Sequence, residues 1–310
     1  MTGEFLGRDE HFYPRLRRRT ILAAAVIFLV PFALFYALVD YVSVRYVRGQ
    51  IYARLQAGVT TNVQLLDDVL SVRMTEVESL AQALSRLSSP LVQWTPILRG
   101  FVEDNPWYWQ LVVADASGEI VATSGDIRGN IKDRDYFRQA QAGETVISDV
   151  FFSPLTQKTE MVVAAPLHGR GGQVAGVLVA ALKLDKLNSR LLDLGIGQTG
   201  ESFLVNAAGQ FASPSRFGGQ VLTGPVFAPQ GPNPYQGEAG MSEHRDYRGQ
   251  MVLCAYRKLR SKNYYLVAQV ARDEILAPIY ELRRAILLYV VPFLLLGVVL
   301  AVVAGRYAVN

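Results

Sequence analysis

One cysteine in 310 residues, Cys254, rules out an internal disulfide, so any domain in this chain must rest on its own hydrophobic core. Cys254 lies in the apolar run Met251-Val-Leu-Cys-Ala-Tyr256 and reads as a small core residue. Histidine is almost as scarce. His11, His168 and His244 stand far apart, with none of the spacings that a zinc site or an HExxH helix needs. No serine or cysteine carries a nucleophile signature such as GxSxG. The carboxylate pairs Glu103/Asp104 and Asp133/Asp135 have no acid–base companions and read as caps and solvated faces. No catalytic residue, metal or cofactor is therefore expected.

Two short glycine motifs lack the context that would give them chemistry. Gly195-Ile-Gly-Gln-Thr-Gly200 spells GxGxxG, but a helical pattern precedes it and a strand pattern follows. A dinucleotide loop needs the reverse order, so this stretch reads as a link between modules. His168-Gly-Arg-Gly-Gly172 lacks the Lys-Ser/Thr of a phosphate loop and reads as a hairpin turn. The net charge of +4 and pI near 9.1 do not point to nucleic acid. Arg15, Arg17, Arg18 and Arg19 sit directly before an apolar run, the flank of a membrane anchor.

Long apolar runs are what the chain has in excess, with a hydrophobic content of 50%. Residues 20–44 carry no charge before Asp40, and 285–305 carry none; about 20 such residues let a helix cross a bilayer. No cleavage site follows the first, and both are expected as transmembrane helices, with Pro31 kinking the first. Two spans put both termini on one side. The basic cluster before the first span favours the cytoplasm, with 1–19 as a cytoplasmic tail and 306–310 opening a further cytoplasmic region. Between Arg45 and Ser89 there is no proline. Ile51, Leu55, Val59, Val63, Leu66, Leu70, Val77, Leu80, Leu84, Leu87 and Leu91 recur at steps of three and four, with one step of seven, one face of a helix. Residues 45–90 therefore read as a stalk of roughly 65 Å at ~1.5 Å per residue. Its stripe is expected to pack on its own domain in part and on a second copy in part.

Beyond Pro90 the grammar changes to short strands. Leu111–Ala114 and Glu119–Thr123 flank an Asp-Ala-Ser-Gly turn, and Met161–Leu167 and Gln173–Leu184 flank the glycine-rich turn at 168–172; each is a hairpin. The pattern then recurs: Asp115-Ala-Ser-Gly118 matches Asn206-Ala-Ala-Gly209, Met161-Val-Val-Ala164 matches Met251-Val-Leu-Cys254, and Leu178-Val-Ala-Ala181 matches Leu266-Val-Ala-Gln269. The offsets are 91, 90 and 88, so two related α+β modules are expected in tandem, 91–194 and 195–284. The second replaces the first module's DRDYFRQA with a Gly/Pro-rich loop at 217–240.

The residues fit for ligand recognition gather in the first module. Asp133-Arg-Asp-Tyr-Phe137 holds a guanidinium, two carboxylates and two aromatics. Arg134 can fork onto an oxyanion, and Tyr136 and Phe137 can wall a pocket. The segment can equally be a helix start, with Asp133 as N-cap and Phe137 in the core. Trp107 and Trp109 open the first strand on one face if alternation holds, and Asp149, Phe151 and Lys158 follow downstream.

Membrane span, stalk, NPWYWQLVVADASGEIVATS, KDRDYFRQAQAGETVISDVFFSPLTQKTEMVVAAPL, GQTGESFLVNAAGQFASPS and a closing span together resemble a double Cache sensor domain, over nearly all of Arg45 to Arg284. The resemblance implies two tandem PAS-like modules with antiparallel sheets on a long N-terminal stalk helix, flanked by two transmembrane helices in the bacterial inner membrane. It implies a periplasmic domain, a ligand in the membrane-distal module, and a homodimer formed through stalk and membrane helices. It also implies a missing output domain, for which a histidine kinase is preferred over a diguanylate cyclase or chemoreceptor. By the resemblance Arg134, Tyr136 and Phe137 belong to an RxYF pocket segment. The amino-acid-binding subtype has a tyrosine upstream of the arginine and an aspartate after the aromatic pair, where Gly129 and Gln139 stand here. RxYF members include sensors of C4-dicarboxylates and short carboxylic acids, so an organic anion is the expected ligand. A scaffold with a vestigial pocket and a membrane-tethered enzyme are the rival readings.

Overall fold

The computed structural model describes residues 12–87, 91–191, 196–227 and 233–307. The tail through residue 11, Gly195 of the glycine link, the middle of the Gly/Pro loop (228–232) and residues 308–310 lie outside the described residues. The chain divides into two units, Met1–Ile51 with Asp273–Asn310, and Tyr52–Arg272.

The first unit is helical. Helix α1 runs Phe12–Ser85 and keeps Pro31 within it; helix α5 runs Arg272–Tyr307 and contains Pro278 and Pro292. Both are long and apolar enough to cross a membrane. Leu34, Phe35 and Leu38 on one and Leu288, Tyr289 and Phe293 on the other are exposed, the surface a bilayer covers. The first charge after the N-terminal apolar run meets a basic residue before the second: Arg283 grips Asp40 with two donors, Nη2 reaching Oδ2 at 2.7 Å and Nε bonding the other oxygen.

The second unit carries two antiparallel sheets. The larger is built from β1 (Tyr108–Asp115), β2 (Ile120–Thr123), β3 (Val146–Ile147), β4 (Phe151–Ser153), β5 (Lys158–His168) and β6 (Val174–Leu182), in the order β2-β1-β6-β5-β3 with β4 also on β5. The smaller holds β7 (Glu201–Asn206), β8 (Ala239–Arg245), β9 (Met251–Lys258) and β10 (Tyr264–Ala271), in the order β7-β10-β9-β8. The repeat is visible in the pairing itself. Val113 faces Leu178 across β1 and β6, and their counterparts Leu204 and Leu266 face each other across β7 and β10. The turns repeat too: Asp115 Oδ1 accepts the amides of Ser117 and Glu119, and Asn206 Oδ1 those of Ala208 and Gln210. Gly118 and Gly209 close these turns at φ of 84° and 78°, a backbone region that disfavours side chains.

The stalk portion of α1 buries its stripe within this unit. Leu55, Val59, Val63, Leu66, Leu70, Val77 and Leu84 are all buried, while Leu65 and Val72 on another face are exposed. Leu87, expected on the buried stripe, is exposed, because the helix has ended at Ser85. Polar contacts set the register. Arg257 Nη1 donates to Thr60 Oγ1 at 3.2 Å, Asp67 accepts from Arg260 N and Ser261 N, Tyr108 OH donates to Glu76 at 2.9 Å, and His168 N donates to Ser85 Oγ. Both sheets are thereby tied to one helix.

The two modules also bond directly. Val150 N donates to the Tyr264 hydroxyl at 2.7 Å, and Lys262 Nζ lies 3.4 Å from Asp149 Oδ1. Tyr264 is buried, so Tyr264→Phe strands a buried amide and is expected to cost about 1–3 kcal/mol of stability; denaturant melts of the solubilised chain measure it.

Candidate functional site

The face of the larger sheet that carries Val112, Ala114, Val162, Ala164, Val177 and Val179 packs on helix α3 (Asp135–Gln141). The DRDYF segment forms the start of that helix, with Arg134 rather than Asp133 at the N-cap. Arg134 is extended there (φ −82°, ψ 134°) and makes no side-chain cap bond, which leaves its guanidinium for other partners. Helical spacing then sends Phe137 into the core, fully buried, and Tyr136 to the rim.

Two cavities meet at Tyr136. The inner one, about 40 Å³, is bounded by Trp109 and Gln110 of β1, Glu160 of β5, Ala181 of β6 and the β4–β5 turn with Leu155 and Thr156. That is room for about three waters, so an organic ligand must part its walls. The outer recess, about 300 Å³, is lined by Arg134, Gln139, Asp149, Phe151 and, from the other module, Lys262. Tyr136 and Phe151 stack between them with centroids 5.7 Å apart and planes at 29°, the offset geometry aromatic pairs favour. The Arg134 guanidinium lies 5.9 Å from the Phe151 ring and the Lys158 ammonium 4.4 Å from the Trp109 ring, both within cation–π range. Burial pushes the Tyr136 phenol up to about 12, against the pull of Arg134.

Four of the residues singled out from sequence, Trp109, Arg134, Asp149 and Lys158, thus gather around an aromatic pair made of two more, Tyr136 and Phe151. Phe137 sits behind them in the core. Trp107 is elsewhere: it lies in the turn before β1, with Arg73 of the stalk 5.1 Å above its ring. Strict alternation would pair it with Trp109. Because the strand starts only at Tyr108, alternation does not reach Trp107; within the strand a bulge between Tyr108 and Gln110 turns both Trp109 and Gln110 toward the cavity while Tyr108 points to the stalk.

Glu160, Thr156, Ser153 and Gln110 were not singled out in the sequence. Only the parity of β5 could have found Glu160, two residues before Val162 on the same face. It is buried, accepts from Thr156 Oγ1 at 3.3 Å, and burial holds its carboxyl above the usual range, opposed by the Ser153 and Thr156 hydroxyls and the charges of Lys158 and Arg134. Gly129, at φ 143°, has Leu155 Cδ2 2.9 Å from where a Cβ would stand, so a tyrosine there would collide with the turn that roofs the cavity.

Two α+β modules with antiparallel sheets on one shared helix, the first holding a small lined cavity, have the architecture of a tandem-module sensor domain. The profile of the Cache domain family matches residues 43–279, and the chain belongs to that family, in its double Cache form. Methyl-accepting chemotaxis protein PctB of Pseudomonas aeruginosa is 23% identical over 297 residues, covering 93% of this chain and 47% of the relative. The chain therefore spans about half the length of that relative. The ligand-binding domain of PctB in complex with L-Arg aligns with a TM-score of 0.58 at 20% identity over 71% of this chain and 94% of that one. The ligand-binding domain of the Pseudomonas fluorescens chemoreceptor CtaA in complex with L-serine aligns at 0.60 and 18% over 73% and 99%. At such identities these structures speak for the fold alone.

Phe137 separates packing from recognition. Phe137→Ala is expected to cost about 3–5 kcal/mol through the cavity it leaves, and the exposed Phe152→Ala under about 0.5 kcal/mol, both read from unfolding midpoints.

Proposed function

We propose that this chain is the extracytoplasmic ligand-sensing region of a bacterial inner-membrane receptor. The distal module, residues 91–194, takes up a small carboxylate-bearing molecule through the cavities that meet at Tyr136. Arg134 carries this reading. It stands at the N-cap of α3 beside the stacked pair, with no ion-pair partner among the described residues, and its planar fork suits a carboxylate. The two solved relatives above hold L-Arg and L-serine, and each of those molecules has a carboxylate.

In this reading 20–44 and 285–305 are the membrane spans, 45–90 the stalk and 195–284 the proximal module, with both termini cytoplasmic. Two copies pair along the stalk. Its exposed Leu65 and Val72 and a groove of about 540 Å³ between α1 and helix α2 (Thr95–Asp104), lined by Val72, Leu80 and Phe101, offer the apolar surface for that. Ligand biases two states of the pair only through its differential affinity for them. The curated relative is a chemotaxis receptor, which favours a chemoreceptor-type output over the histidine kinase preferred from sequence.

The test is a thermal-shift and calorimetric screen of the full chain in nanodiscs against short mono- and dicarboxylates, amino acids and amines. A carboxylate that binds the parent and binds Arg134→Ala about ten- to a hundredfold more weakly, the worth of a charge-assisted hydrogen bond, is the expected result. Arg134→Ala matching the parent for every binder would sink the proposal.

A further inference from the structure

The sheet of the second module carries a polar row through its interior. Glu201 on β7 lies opposite Gln269 on β10, and Gln269 lies opposite Cys254 on β9. All three are buried. Asp246 and Arg248, in the turn between β8 and β9, meet this row, Asp246 buried and the Arg248 side chain 17% exposed. Two carboxylates and one guanidinium are thus withdrawn from water together. A buried group of charges with an unbalanced sign is costly, and a proton is the smallest ligand that balances it.

The partners are divided unequally. Asp246 Oδ1 accepts the amides of Arg248 and Gln250, and its Oδ2 takes Arg248 Nε at 2.7 Å. Glu201 faces the same guanidinium from 3.6 Å, Oε1 to Nη2, beyond hydrogen-bond length. That Nη2 and the buried Gln269 Oε1 have no hydrogen-bond partner among the described residues. Glu201 instead accepts from Gln269 Nε2 at 2.9 Å and from the Tyr247 hydroxyl, 3.1 and 3.2 Å from its two oxygens. Tyr247 OH is in turn 2.7 Å from Ser215 Oγ, a pair in which either hydroxyl can donate. With Glu201 ionised, Ser215 donates to Tyr247 and Tyr247 to Glu201. With Glu201 protonated, both bonds reverse, and the carboxyl O–H donates to Tyr247. The same heavy atoms serve both states.

We infer that Glu201 is a proton-binding site, which makes the second module responsive to the pH of the medium it faces. The inference does not depend on what the first module binds. The proton comes from solvent and forms an O–H bond on Glu201; nothing leaves. Burial lifts the Glu201 carboxyl above the usual range, with Gln269, Arg248 and Tyr247 opposing and Asp246 adding to the rise. Around it, burial pushes Tyr247 and Cys254 up to about 12 and Tyr235 well above its ordinary value, so these keep their protons. Burial pulls the His244 imidazole down against Asp246, and Arg216 donates to Gly200 O beside Glu201. The site lies at the end of β10 that leads on to α5: Ala271, two residues after Gln269, donates its amide to Thr199 Oγ1, and α5 begins at Arg272.

The test is infrared pH-difference spectroscopy on the full chain in a detergent without ester carbonyls, which reads the stretching band of a protonated carboxyl. Glu160 is also raised by burial, so the measurement is repeated in Glu160→Gln. As pH falls from about 8 to about 5, that variant should still gain a protonated-carboxyl band with a midpoint above the ordinary glutamate value of about 4.3. Adding Glu201→Gln should remove the band. Thermal melts give a second reading. A carboxyl raised in the folded state adds stability that is full below its unfolded value and lost as pH rises through the folded one. Glu201→Gln holds the site neutral at every pH, so its melting temperature relative to the parent should rise with pH. His244 and Glu160 are common to both chains and cancel in that difference. A band that survives Glu201→Gln in the Glu160→Gln background, or a melting difference flat with pH, overturns the inference. A parent with no titrating band overturns it whether or not the variants fold.

Discussion

The apolar stripe of the stalk helix is the constraint on which the rest of the second unit depends. Leu55, Val59, Val63, Leu66, Leu70, Val77 and Leu84 spread over some 30 residues of one helix, far more length than a single small sheet covers. Two sheets laid along it in sequence solve that problem, and the duplicated pairing of Val113–Leu178 and Leu204–Leu266 reflects one solution used twice. Because an isolated helix gains little from propensity alone, the helix and the modules stabilise each other. A shift in either module must then be felt along α1.

The β9–β10 turn is where three parts of this unit meet. Asp67 of the stalk accepts from Arg260 and Ser261, Lys262 pairs with Asp149, and Tyr264 takes the amide of Val150. Asp149 lines the recess beside Arg134, so one hairpin touches the stalk and the wall of the candidate site together. Lys262 and Asp149 are a partly exposed pair worth little as a stability term. The buried Tyr264 bond is the stronger tie, since its loss leaves a donor without water.

The second module spends its polar residues differently. Glu201, Asp246 and Gln269 are buried together, with Tyr247 and Gln269 donating to Glu201 and Arg248 Nε bonding Asp246 at 2.7 Å. Burial raises the Glu201 carboxyl, with Gln269, Arg248 and Tyr247 opposing it. Here the carboxylates meet a guanidinium and an amide, whereas Glu160 in the first module meets only the Thr156 and Ser153 hydroxyls at close range, with Lys158 and Arg134 acting on it through space. That contrast, more than the Gly/Pro loop, separates the two copies.

Much of this was legible from sequence because it depends on local period and composition. The apolar runs, the helical stripe, the hairpins around Asp-Ala-Ser-Gly and His-Gly-Arg-Gly-Gly, and the offset near 90 all follow from side chains repeating at 3.6 or 2 residues and from turn residues at fixed places. The candidate site was legible only where its residues are neighbours in the chain, as in Arg134, Tyr136 and Phe137. Trp107 left its expected face because the strand begins only at Tyr108, a boundary that the alternating pattern does not announce. Asp133 yielded the N-cap to Arg134 because the helix begins one residue later. Only the folded sheet could decide that Glu160 is buried at a cavity it shares with Thr156 and Tyr136. Burial and pairing are set by which strands lie side by side, and no local pattern records that.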